Sequence, residues 1–142
     1  MKLRLETEGR EDLPEIPSGG AEFVAFMSFA HMRGFGAQHP YIALADRLHD
    51  VHGVSMGPLT TFYESEIEDS EDAEKLEMAW QPATPLLAAV EAMAAALAAD
   101  PLCLALAVRA EAAGLACQAL ALIPPLRAAR DEGARVRLSY SL

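Results

Sequence analysis

The sequence predicts a mainly α protein of the α+β class, a bundle of five or six helices with a two-stranded β-ribbon made from the N- and C-terminal strands. Three observations carry that expectation. Thr84 to Leu126 repeats Leu, Val and Met at helical spacing. Met1–Thr7 and the closing ARVRLSYSL both alternate with period two. At 142 residues with 52% apolar and 23% charged content, the chain reads as one domain, 1–142, able to bury about two-thirds of its unfolded surface.

In the first strand Leu3, Leu5 and Thr7 point one way and Lys2, Arg4 and Glu6 the other. In the last, Val136, Leu138, Tyr140 and Leu142 oppose Arg137, Ser139 and Ser141. A lone strand pair is marginal in water, so its apolar face is expected to lie on helices or to extend across a subunit boundary. Gly9–Gly20, with two prolines and three glycines, reads as a connecting loop.

From Ala21 a helix carries Phe23, Phe26, Met27 and Ala30 on one face and stops at Gly34. Pro40 opens a second, with Tyr41, Leu44, Leu48 and Val51 as its buried stripe and Gly53 as its terminator. Residues 58–67 carry both signals. Thr60, Thr61, Phe62 and Tyr63 favour a strand, yet Leu59, Tyr63 and Ile67 recur at helical spacing, and the reading taken is helix. Ser70 is expected to cap the next helix, whose first turn holds Glu71, Asp72 and Glu74 and whose apolar edge is Ala73, Leu76 and Trp80.

Thr84 then caps and Pro85 opens a helix with the stripe Leu86, Val90, Met93 and Leu97. Asp100-Pro101 repeats the cap-then-proline signal and starts another. If that helix is continuous, Leu104, Val108, Leu115, Leu122 and Leu126 share one face, while Leu102, Leu106, Ala113, Cys117 and Leu120 cover the opposite one. Pro124-Pro125 is expected to end or kink it, with a turn leading through Gly133 to the last strand.

The net charge of −10 argues against nucleic acid, whose recognition rests on clustered Lys and Arg, and against an anionic membrane surface. The opening MKLRLETEGRED lacks an apolar signal-peptide core, and no segment approaches about 20 uninterrupted apolar residues. Cytoplasmic location is the expectation, and two cysteines fit it as reduced thiols. Nine Arg against two Lys, with no Asn, suggests a GC-rich bacterial source.

Four features compete for a functional role. Tyr63–Trp80 holds eight of the twenty-one acidic residues and one lysine. Its simplest reading is a solvated helix start, and its functional one is a docking surface for a basic protein partner through Glu66, Glu68, Glu71 and Glu74. It lacks the glycine and ligand order of a calcium loop.

Asp46, His49, Asp50 and His52 offer His and carboxylate at helical spacing for a metal ion, although no zinc or di-iron motif matches; a polar helix face explains them as well. His31, His39 and Tyr63 are candidates for a ligand pocket, with glycines nearby that also serve simply to end one helix and start another. No nucleophile elbow or phosphate-loop motif occurs, and Cys103 and Cys117 lie in the most apolar region, where thiols are unreactive.

The last feature is an absence. Between Gln81 and Leu126 only Glu91, Asp100, Arg109 and Glu111 are charged. One helix apolar on all sides can be wrapped by its own chain, but two are hard to cover, so a homodimer through Leu102, Leu106 and Leu120 is expected. The sequence thus favours a non-catalytic acidic interaction or regulatory protein. The alternative is a small-molecule or metal-binding protein, or an enzyme, with a histidine-containing pocket.

Overall fold

The computed structural model describes residues 1–36 and 38–142. Among them are seven α-helices and four strands. The mainly α prediction with added β structure holds, and the β part is larger than a ribbon. The chain runs β1 (Lys2–Thr7), a 3-10 turn (Pro17–Gly20), α1 (Ala21–Ala30), α2 (Pro40–Asp50), α3 (Met56–Leu59), β2 (Phe62–Glu64), α4 (Ser70–Met78), β3 (Trp80–Pro82), α5 (Ala83–Ala99), α6 (Pro101–Arg109), α7 (Leu115–Glu132) and β4 (Arg135–Ser141).

The two end strands do pair, antiparallel, with Leu5 opposite Leu138 and Glu6 opposite Arg137. The two-stranded ribbon needs correction, because β4 has partners on both edges. On the edge away from β1, β2 runs parallel beside Leu138–Tyr140 and β3 antiparallel beside Arg135–Arg137. Strand β4 is therefore the centre of a mixed four-stranded sheet.

This register sorts the residues by face. Leu5, Leu138 and Phe62 lie in one row and are buried with Leu3 and Val136 in the same core as the helices. The row Glu6, Arg137 and Trp80 lies on the other face. There Glu6 accepts from Arg137 Nε and Nη2 at 2.9 and 3.0 Å, and the guanidinium lies 4.3 Å from the Trp80 ring centroid. Arg137 Nη1 also donates to the Leu76 carbonyl at 3.1 Å, tying α4 to the sheet.

Helix α5 is the wrapped one. Leu86, Val90 and Met93 are fully buried, Leu97 nearly so, and α7 packs along it. Its start differs from expectation, since α5 begins at Ala83 and Thr84 makes no capping bond. At the next helix the prediction holds: the Asp100 side chain caps α6 by accepting from Leu102 N at 3.0 Å. The helix axis turns by 95° between α5 and α6, and no single helix among the described residues is long and apolar enough to cross a membrane.

Three further expectations are corrected. Residues 58–67 are not a helix. After the short α3, Phe62–Glu64 is strand β2, because β4 offers a hydrogen-bonding edge that outweighs helical spacing. The Thr60 and Thr61 hydroxyls return to the Met56 and Gly57 carbonyls and close α3 off.

The long second helix is interrupted at residues 110–114, where Glu111 takes a positive φ of 58°. That break rotates the faces apart: Leu115, Leu122 and Leu126 are buried in α7, while Leu104 and Val108 on α6 are exposed. Pro124 and Pro125 do not end α7, which runs through them to Glu132. Two donors are lost from its ladder, but burial of Leu122, Leu126 and Ala129 holds the segment helical.

One buried polar group was not foreseen. Gln118, fully buried on α7, accepts from Phe23 N at 2.9 Å and donates to the Glu22 carboxylate. The residue before α1 is Gly20, which has no capping side chain, so Gln118 satisfies an open donor of the first turn from another helix.

Candidate functional site

The acidic run is exposed, as a solvated face would be, but it is also shaped. Between β2 and α4 the chain leaves the sheet edge and, with the start of α4, lines an open cleft of about 310 Å³. Tyr63 and Tyr140 line it together with Glu64, Glu66, Glu68, Asp72 and Lys75. Four carboxylates thus face one ammonium among the described lining residues, and Lys75 is itself drawn to Glu71 at 3.6 Å.

The wall is ordered by its own acids. Asp69, rather than Ser70, caps α4 and accepts from Asp72 N at 2.9 Å, while Asp72 accepts from Glu68 N at 3.1 Å. Asp72 therefore serves the fold, whereas Glu66, Glu68, Glu71 and Glu74 extend into solvent.

A second cluster sits where α2 meets the start of α6. Asp100 Oδ2 accepts from Arg47 Nε at 2.7 Å, lies 2.7 Å from His52 Nε2, and accepts from Cys103 Sγ at 3.5 Å. Arg47 and His52 first, against some opposing desolvation, hold the Asp100 carboxyl well below the usual carboxylate range. Burial, then the adjacent Asp100, pushes the Cys103 thiol up to about 11. Because Asp100 stands between His52 and Cys103, the histidine does not hold the thiol as a base holds a nucleophile.

The other sequence candidates disperse. Of the four residues predicted to share a metal, Asp46 faces Arg33 at 3.5 Å, His49 pairs with Asp50 at 2.9 Å, and His52 turns to Asp100. Asp46, His49 and Asp50 do share a face of α2, but separate partners engage them, and His52 lies beyond the helix end. His39 caps α2 by accepting from Tyr41 N and stacks on Phe29 at 3.9 Å. His39 and Tyr63 line different cavities, and His31 lies against Phe62 with ring centroids 5.2 Å apart.

The residues named for self-association divide as well. Leu102 and Leu120 are exposed on different helices, and Leu106 is buried at 8% exposure. What sequence reading missed is the grouping of Arg47, His52, Asp100 and Cys103. The local part was legible, since Asp100 and Cys103 stand at the cap and third positions of one helix. Its approach by α2, some fifty residues earlier, was not.

Fold and sites together define a mainly α protein with a mixed sheet, an acidic cleft at the sheet edge and an ion-pair clasp between two helices. No protein-family model, curated protein or solved structure matches the chain.

Proposed function

We propose that this is a non-catalytic interaction or regulatory protein of the cytoplasm whose acidic cleft receives basic side chains of a protein partner. The observation that carries this reading is the cleft itself: carboxylates of the acid run lie around two tyrosines, with Lys75 as the opposing charge. Tyrosine faces and carboxylates together suit Arg or Lys, through cation–π attraction and charge-assisted hydrogen bonds. The free thiols Cys103 and Cys117 are in keeping with a reducing compartment.

Homodimerisation belongs to the same proposal. Leu104 and Val108, adjacent on the outer face of α6, are 52% and 59% exposed. A second copy would cover them.

The test compares wild type with a variant carrying Gln at Glu66, Glu68, Glu71 and Glu74. Partners retained by wild type are purified, then measured against both proteins at low and high salt. The reading expects binding that fails in the variant and weakens as salt rises. Binding indifferent to both would reduce the run to a solvated helix start.

A further inference from the structure

We propose that His52, Asp100 and Cys103 form a zinc(II) site, with Arg47 as the group the ion displaces. The site is independent of the acidic cleft: it is a part-buried cluster of side chains where the turn after α2 meets the start of α6.

The ligand atoms His52 Nε2, Asp100 Oδ2 and Cys103 Sγ all lie within 4.8 Å of one another. Nitrogen, oxygen and sulfur donors together suit zinc, whereas magnesium and calcium prefer oxygen alone. Sγ and Oδ2 are already 3.5 Å apart, close to the edge of a tetrahedron built on bonds of about 2.0–2.3 Å. Nε2 and Oδ2, at 2.7 Å, need to part by less than about 1 Å.

Rigid elements hold the set. Asp100 and Cys103 share the first turn of α6, while the turn carrying His52 is closed by Gly53 N donating to His49 O and Val54 N to Leu48 O. Entry is from the side of His52 and Arg47, whose side chains are 27% and 30% exposed, since Cys103 is sealed.

Charge balances on exchange. In the structure Arg47 neutralises Asp100. On binding, the ion brings two positive charges, the Cys103 thiol releases one proton to solvent, and Arg47 swings into water. His52 passes to the tautomer with its proton on Nδ1, freeing Nε2 as a ligand. Three protein donors leave a fourth position for water.

Cobalt(II), a spectroscopic substitute for zinc, tests the site in the full chain purified without a histidine tag. The expected result is one equivalent per chain with a thiolate-to-cobalt charge-transfer band. The band should survive Cys117→Ser and vanish in Cys103→Ser. His52→Ala, at a part-exposed position, should weaken binding at least about tenfold and covers the case in which the Cys103 variant misfolds. Arg47→Gln should bind more tightly than wild type, because it removes the competing cation.

Absence of a thiolate band in wild type overturns the proposal and leaves the cluster as a clasp only. So does a band that follows Cys117, or an Arg47 variant that binds more weakly.

Discussion

At the scale of single residues, two positions test the packing and one the electrostatics. Gly20 has φ +71°, and a Cβ there would meet the Leu3 Cβ at 2.7 Å. Gly133 has a similar φ of +67° but open space around it. Gly133→Ala should therefore cost only the left-handed conformational penalty of about 1–2 kcal/mol. Gly20→Ala should cost distinctly more, because Leu3 belongs to the core and must move; equal losses in denaturant titrations would refute that packing.

Together with Asp100, Glu6 supplies part of the pH dependence. Burial alone would raise its carboxyl, but the bonds and charge of Arg137 outweigh that and hold it below the ordinary value of 4.5. A depressed folded value means stability that is present above about 4.5 and is lost as pH falls through the folded value. Urea midpoints followed from pH 7 to 3 should fall, and Glu6→Gln should flatten that fall while lowering stability at pH 7. An unchanged acid limb in the variant would assign the dependence to other groups.

At the scale of elements, β4 is the keystone, since β1, β2 and β3 all bond to it. Deleting residues 135–142 removes every strand partner and two core residues, Val136 and Leu138, so the truncated chain should lose cooperative unfolding altogether. A sharp thermal transition near that of the whole chain would contradict the topology. By contrast, neutralising Glu66, Glu68, Glu71 and Glu74 should change stability by no more than about 1 kcal/mol, because only the exposed Glu71–Lys75 pair is lost.

The same contrast explains what was legible in advance. The end strands and the start of α6 announce themselves locally, through alternation and through Asp100-Pro101. β2 does not: Phe62–Glu64 is three residues long and becomes a strand because β4 lies beside it. Pro124-Pro125 reads locally as a stop or a kink, yet the buried stripe of α7 carries the helix through it. The Arg47–Asp100 and His52–Asp100 contacts depend on how α2 docks against α6, which no local spacing encodes.

At the scale of the whole molecule, the scarcity of charge between Gln81 and Leu126 has a divided outcome. Most of α5 and the inner faces of α6 and α7 are covered by the chain itself, so the apolar excess narrows to Leu120 on α7 and to the outer side of α6. Pro101, Leu104, Ala105 and Val108 lie there, flanked by Leu102 and, near the His52 turn, by Val51 at 57% exposure. A nine-residue helix is only about 14 Å long, and a stable interface needs about 800 Å² from each partner. The dimer proposed here must therefore draw in the edge of α2 beside α6.

Two chains of net charge −10 repel each other. Salt should strengthen this contact, opposite to its effect on docking of a basic partner. Leu104→Glu with Val108→Glu places charges at positions already exposed in the single chain, so the fold should survive while the dimer separates. Leu106→Glu, in contrast, should unfold the protein, because Leu106 is part of the core. Sedimentation at micromolar concentration should show twice the 15.2 kDa chain mass for wild type and a single chain for the double variant. Wild-type protein that sediments as one chain at high salt would end the dimer proposal.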